Sequence, residues 1–117
     1  MEKVTAGRDQ LREFAPKFAQ LNDDVLFGEV WAREDLLSAR DRSIVTVTAL
    51  MASGVLDSSL KFHIANAKKH GVTKTEMSEI LTHAAFYEGC PKAWAAFNYA
   101  KEIYGEYFFT YTKSSSL

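Results

Sequence analysis

The stretch that decides the fold reads SARDRSIVTVTALMASG and spans residues 38–54. Ser38, followed three residues later by Asp41, makes an approximate capping box, and Gly54 is a typical residue to end a helix. Between them the apolar residues occupy more than one face, and a helix of that kind is normally central and buried. Those apolar residues are Ile44, Val45, Val47, Leu50 and Met51.

Short helices are predicted before this stretch. Thr5 is placed to cap the first one, and Pro16 either kinks it or opens a second helix that runs on to Val30. As an alternative to a continuous helix, residues Asn22 to Asp24 could form a turn, because asparagine and aspartate favour turns.

Three further helices are predicted after residue 54. The first begins at Asp57 or Ser58, the second begins with a capping box made by Thr73 and Glu76, and the third begins at Pro91. No segment alternates with period two over the length of a strand. The chain is therefore expected to be all-α, with about six helices.

Size and composition narrow the class of protein. A length of 117 residues fits one domain, and 47% hydrophobic residues in so short a chain suggest that another subunit covers part of the apolar surface. A net charge of −1 argues against nucleic-acid binding, and no apolar run approaches the ~18 residues of a membrane span. One cysteine, Cys90, and an N-terminus unlike a signal peptide lead us to expect a cytoplasmic protein.

Three arginines lie within ten residues: Arg33, Arg40 and Arg42. Arg40 and Arg42 fall in the first turn of the predicted central helix, where the helix N-terminus already carries partial positive charge. An anionic group must therefore compensate the positive charge of the arginines and of the helix N-terminus. Either nearby acidic side chains such as Glu29 or Asp41 form a salt-bridge network, or a carboxylate ligand binds there.

The histidines are candidate acid–base groups. His63 lies one turn from Leu60, at a position expected to be half-buried. Glu79 precedes His83 by one turn, a spacing that suits a hydrogen-bonded or ion pair. No two histidines share helical spacing on one helix, so no metal site is expected. Cys90 lies at a turn before a helix, where passive packing is the preferred interpretation.

Five blocks of sequence together resemble the carboxymuconolactone decarboxylase family. They are FGEVWAR (27–33), RDRSIVT (40–46), LKFH (60–63), GVTKTE (71–76) and HAAFYEGCP (83–91). The blocks follow the order and spacing of the family and place a family-like core at about residues 14–104 of a single domain 1–117. An aromatic tail at about 107–117 falls outside that pattern.

The resemblance implies an alkylhydroperoxidase D-like helical fold that assembles into a ring-like homo-oligomer, commonly a hexamer. It also implies loss of CO2 from 4-carboxymuconolactone, a step of aromatic catabolism, with neither metal nor organic cofactor. The residue roles follow from that chemistry as hypotheses. His63 is the acid, with His83 as a second candidate, and Glu29 orients the histidine or acts as a base. The substrate carboxylate is held by Arg33, Arg40 and Arg42. Water is excluded by Trp31 and Tyr87.

The alkylhydroperoxidase D branch of the family reduces peroxides through a Cys-x-x-Cys pair with a histidine four residues on. Counting back from His63, the matching positions hold Ser59 and Leu56. A disulfide relay needs two sulfurs, so peroxidase chemistry is not expected. Two alternatives to the decarboxylase remain: an antioxidant protein using Cys90 alone, and a helical oligomer that binds a small anion without turnover.

Overall fold

The structure, a computed structural model, describes residues 2–105, and the aromatic tail lies outside them. Six α-helices occur in this part of the chain: α1 (Ala6–Leu11), α2 (Pro16–Gln20), α3 (Ala39–Ala52), α4 (Ser58–Lys69), α5 (Lys74–Glu88) and α6 (Cys90–Tyr104). Residues 2–105 contain no strand, so the all-α prediction is confirmed. Contacts divide the chain into two compact units between Arg42 and Ser43. A single domain over 1–117 stays a prediction.

A π-helical segment, Leu21–Val30, follows α2 directly. The Trp31 N–H donates to the Leu26 carbonyl oxygen at 2.9 Å, five residues earlier, which is the spacing of a π-helix. The alternative prediction of a turn at residues 22–24 is therefore wrong. π-Helical turns are rare and often occur at functional sites.

The carboxylate of Asp23 organises the first unit. It is buried and accepts hydrogen bonds from the backbone N–H groups of Gly7 at 2.8 Å and Arg8 at 3.0 Å, and from Nδ2 of Asn22 at 3.0 Å. Asp23 thus satisfies N–H groups in the first turn of α1, which have no partner within the helix. Burial raises the pKa of Asp23, but these hydrogen bonds outweigh burial and lower the pKa below its usual value.

The second unit has a continuous apolar core built from α3 to α6. Its fully buried members include Val47, Met51, Leu60, Ile64 and Leu81. The helix ends follow the predicted signals: Asp57 accepts from the Ser59 N–H at 2.9 Å, and Thr73 and Glu76 form the predicted capping box.

One detail of the predicted core is wrong, and the buried face of α6 could not be read from spacing alone. Val45 is 59% exposed, so α3 leaves one face open in this chain. The buried face of α6 consists of Ala93, Ala96, Ala100 and Tyr104, whereas Trp94 is 70% exposed. Both faces of α6 have helical spacing, and the unit buries the face with the smaller side chains.

No helix among residues 2–105 is long and apolar enough to cross a membrane.

Replacing Gly7 by alanine tests the packing around Asp23. A Cβ atom at Gly7 would lie 2.7 Å from the Ala19 carbonyl oxygen and 2.8 Å from Oδ1 of Asp23. We expect Gly7→Ala to lower the free energy of unfolding by about 1–3 kcal/mol, because backbone or carboxylate must move. Urea denaturation followed by circular dichroism measures the change.

Gly28→Ala is the matched control. It lies in a helical segment of the same unit, and its added Cβ would meet only the Asp23 carbonyl oxygen, at 3.3 Å. An equal loss of stability in both variants would contradict the proposed role of the close contacts at Gly7.

Candidate functional site

Arg42 holds the loop that precedes α3. Its Nε donates to the Leu37 carbonyl oxygen at 3.1 Å, and its Nη2 donates to the Arg33 carbonyl oxygen at 3.2 Å. The same Arg33 oxygen accepts from the backbone N–H groups of Leu36 and Leu37. The partly buried guanidinium therefore fixes the backbone at residues 33–37, a function that the sequence analysis did not foresee.

The other two arginines differ in their surroundings. Arg40 lies in the first turn of α3, with its Nη1 3.4 Å from Oδ1 of Asp41. Asp41 in turn has its N–H bound by the Ser38 hydroxyl at 3.0 Å, as the approximate capping box predicted. Arg33 is exposed on the loop that Arg42 fixes. The local network of charges and the loop carbonyls thus compensate part of the positive charge at this helix start.

Glu29 and Trp31 lie at the end of the π-helical segment. Glu29 is exposed. Trp31 is only 6% exposed, and its ring stacks on Phe27 with the centroids 5.8 Å apart. Trp31 is therefore packed within the first unit, and its role in excluding water stays a prediction.

His63 belongs to the second unit, on the flank of the buried face of α4. It is half-buried, as predicted, and meets the neighbouring Phe62 ring edge-to-face at 5.0 Å between centroids. Burial lowers the pKa of His63 below its ordinary value, because the charged imidazolium loses hydration. Protonated His63 is consequently a stronger acid than a histidine in water.

His83 and Tyr87 pair with each other on the outer face of α5. Their rings stack with centroids 5.1 Å apart, and Tyr87 is 80% exposed. Among residues 2–105 no hydrogen bond or ion pair joins His83 to Glu79, the partner that its spacing suggested. The Tyr87 side chain is therefore largely open to solvent, and its role in excluding water stays a prediction.

The positions of a thiol pair are occupied by other residues. Ser59 lies exposed in the first turn of α4, and Leu56 lies partly buried before that helix. Cys90 is exposed at the start of α6. Among residues 2–105 no group of three or more histidine, cysteine, aspartate or glutamate side chains is arranged to hold a metal ion.

One carboxylate oxygen in the second unit has unusual surroundings. Oε1 of Glu88 is buried and has no hydrogen-bond partner within residues 2–105. Glu88 follows Met77, Leu81 and Ala84 on the buried stripe of α5 at helical spacing. The sequence analysis missed this residue, although the stripe extended by four positions from Ala84 would have found it.

The sequence of the chain matches a known protein family. The model of the family described as "Carboxymuconolactone decarboxylase family" matches residues 16–102. The chain belongs to this family. The matched residues lie within the predicted core of about 14–104.

Two curated relatives match the chain. The 4-carboxymuconolactone decarboxylase of Acinetobacter baylyi (strain ATCC 33305 / BD413 / ADP1) is 34% identical over 101 residues, which are 86% of this chain and 74% of the relative. An uncharacterized 15.0 kDa protein in the nqo9-nqo10 intergenic region of Paracoccus denitrificans is 29% identical over 84 residues, 71% of this chain and 62% of the relative. The resemblance predicted from the five sequence blocks is confirmed.

The His63 environment gives this carboxymuconolactone decarboxylase family member a measurable signature. We expect the imidazole of His63 to titrate below the usual value of about 6.5, because burial disfavours its charged form. A histidine of this kind weakens folding as the pH falls through 6.5 towards its folded pKa. Proton NMR titration measures the pKa, with a His63→Gln variant identifying the resonance.

A variant that exposes the His63 imidazole ring to solvent supplies the control. Leu60→Ala would disturb the core, whereas Phe62, which is 61% exposed and touches the ring, can be replaced by alanine at the surface. Phe62→Ala should move the His63 pKa back towards 6.5. A wild-type value at or above 6.5 would contradict the burial argument.

Proposed function

We propose that this protein is a cofactor-independent decarboxylase that acts on a small carboxylated lactone such as 4-carboxymuconolactone. The observation that carries the proposal is a half-buried histidine, His63, in a family whose thiol positions here hold Ser59 and Leu56. An imidazole without neighbouring sulfur serves acid–base chemistry and not a disulfide relay. The name of the Acinetobacter relative supports the same reaction.

The reaction needs an electron sink and a proton. The bond between the lactone carbon and the leaving carboxylate breaks, and CO2 departs. The electron pair passes into the unsaturated system conjugated with the lactone carbonyl. A proton is then added at carbon, which yields the enol-lactone. His63 in its protonated form is proposed to supply that proton, and its lowered pKa makes the transfer more favourable.

Binding of the substrate is proposed to use a second carboxylate as a handle. Arginine suits this role because its planar guanidinium binds a carboxylate through two parallel hydrogen bonds. We assign the main contact to Arg33, whose side chain is exposed on a backbone that Arg42 holds in place. Arg40 adds positive charge at the start of α3, Trp31 supplies a dry surface, and Glu29 is the proposed base or orienting carboxylate.

Activity on 4-carboxymuconolactone tests these roles, with substrate loss followed by ultraviolet absorbance. We expect His63→Ala to lower kcat by roughly 100- to 10,000-fold, the usual contribution of a positioned acid. Arg33→Ala should raise KM by about tenfold or more, because a charge-assisted hydrogen bond is lost. His70→Ala, at the end of the same helix as His63, is the matched control and should keep wild-type kcat.

The pH profile distinguishes acid from base. If protonated His63 is the reactive form, kcat/KM should fall about tenfold per pH unit above a pKa lower than 6.5, and His63→Ala should remove this limb. No turnover by the wild type, or an unimpaired His63→Ala variant, would contradict the mechanism. A selective loss in His83→Ala would move the acid to His83.

We also propose that the chain self-associates, as the family resemblance implies for a ring-like hexamer. Phe86 and Tyr87 in the last turn of α5 and Trp94 in α6 are 81%, 80% and 70% exposed. Three such rings carry roughly 450 Å² of exposed apolar surface, more than half of what one partner buries in a typical stable interface. Covering this surface would shield Tyr87 from water, which the proposed role of Tyr87 requires.

Light scattering coupled to size-exclusion chromatography measures the assembly. We expect wild type to elute as a hexamer and Phe86→Ser combined with Trp94→Ser to elute as smaller species, because the apolar surface is broken. Phe14→Ser is the control, since Phe14 is 89% exposed and lies in the other unit. A monomeric wild type would contradict self-association.

The antioxidant alternative is tested through Cys90, which is exposed. Peroxide consumption by wild type that disappears in Cys90→Ser would favour that class of activity, whereas decarboxylation should be unchanged in this variant. The proposed reaction is placed in the cytoplasm, in keeping with a chain that has one cysteine.

A further inference from the structure

The start of α4, the helix that carries His63, is attached to α6 through one tyrosine. The hydroxyl of Tyr99 donates to the Leu56 carbonyl oxygen at 3.0 Å. Leu56 immediately precedes Asp57, which caps α4. Tyr99 is partly buried and packs against the core of the second unit, so water competes little for this hydrogen bond. The bond therefore fixes the start of α4 relative to α6.

Two lysines attach the rest of α4 to the same helix. Nζ of Lys61 lies 2.9 Å from Oε1 of Glu102, and Nζ of Lys68 donates to the Ile103 carbonyl oxygen at 3.0 Å. The hydrogen bond and the charge of Glu102 raise the pKa of Lys61, and Tyr99 adds a smaller effect in the same direction. Both lysines are exposed, and exposed pairs of this kind contribute little to stability. The partly buried hydrogen bond of Tyr99 is therefore the attachment that holds α4 most firmly.

The attachments to α6 set the rotation of α4 about its axis. At about 100° per residue, Lys61 and Lys68 lie on one flank of the buried stripe of α4, and His63 lies on the other flank. The stripe itself is fully buried and consists of Leu60, Ile64 and Ala67. Apolar packing has no preferred direction, so the stripe alone tolerates a small rotation that would carry His63 out of its half-buried position. A hydrogen bond is directional and opposes that rotation.

We infer that Tyr99 is a positioning residue that keeps His63 in its half-buried orientation. Tyr99 acts through the Leu56 carbonyl oxygen and the start of α4. The inference rests on the proposed role of His63 as the acid, because a displacement of about 1 Å in a reacting group can slow a reaction roughly 100-fold. It also goes beyond the family resemblance, since Tyr99 lies outside the five blocks of sequence that carry it.

Tyr99→Phe removes the hydroxyl and keeps the ring. We expect kcat on 4-carboxymuconolactone to fall about fivefold, which corresponds to one neutral hydrogen bond. KM should change by less than about twofold, because Tyr99 is not among the residues proposed to bind the substrate. Proton NMR titration should show the pKa of His63 moved towards the usual value of about 6.5, and the limb of kcat/KM should move with it.

Tyr104→Phe is the matched control, with the same substitution in the same helix. It removes the hydrogen bond to the Val72 carbonyl oxygen, which lies beyond the other end of α4. Tyr104 is only 7% exposed, so this variant should lose at least as much stability in urea denaturation as Tyr99→Phe. It should nevertheless keep the kcat and the His63 pKa of wild type. Equal losses of kcat in the two variants would overturn the inference, because they would reflect stability alone.

The three histidines of the chain make the NMR measurement independent of turnover. In Tyr99→Phe the signals of His63 should move, whereas those of His83 on α5 should stay in place. An unchanged His63 signal and pKa would overturn the positioning role of Tyr99 even in an active decarboxylase. Displaced His63 signals together with a wild type that has no turnover would contradict the proposed function and not the hold of Tyr99 on His63.

Discussion

Small side chains on the buried face of α6 allow this helix to pack closely against α4 and α5. Ala93, Ala96 and Ala100 are buried and have small side chains, and α6 contacts both helices. Trp94 lies on a different face of α6 from these alanines and is 70% exposed. The packing of the alanine face into the core of the second unit therefore leaves on the outside of α6 part of the apolar surface that is proposed to bind another subunit.

The first unit relies on a different interaction. The Asp23 carboxylate accepts hydrogen bonds from N–H groups in the first turn of α1, which have no partner within a helix of any length. Arg8 bridges the neighbouring Asp24 through two contacts of 2.8 and 2.9 Å, so charge is balanced next to the buried group. A helix of six residues such as α1 is marginal alone, and this network explains how it persists.

The sequence predicted the helices well where capping and glycine signals were strong. The capping signals at Asp57 and at Thr73 with Glu76 act locally, and they were predicted correctly. The choice between two apolar faces of α6 depends on how its neighbours fit, which periodicity alone does not contain. The π-helical segment was missed because its residues, Asn22 to Asp24 among them, also favour a turn.

For the candidate site, the sequence located His63 and its half-buried position, but not the contacts of the arginines. A cluster of arginines predicts an anion, whereas the guanidinium of Arg42 binds backbone carbonyl oxygens of the loop. Every residue has a backbone carbonyl group, so no sequence pattern indicates which carbonyl oxygens will accept a hydrogen bond from a given side chain. Glu88 ends an otherwise apolar stripe whose spacing the sequence contains, but only packing shows that its Oε1 is buried without a partner within residues 2–105.

The contacts of Arg42 have a consequence for how a ligand would be received. The guanidinium of Arg42 binds two backbone carbonyl oxygens of the loop at residues 33–37. The backbone of this loop is ordered before any ligand binds. Binding therefore does not lose the entropy that ordering the loop would cost. An anion that binds Arg33 would thus meet a loop that is already ordered. The order of the loop comes from Arg42 and not from the anion.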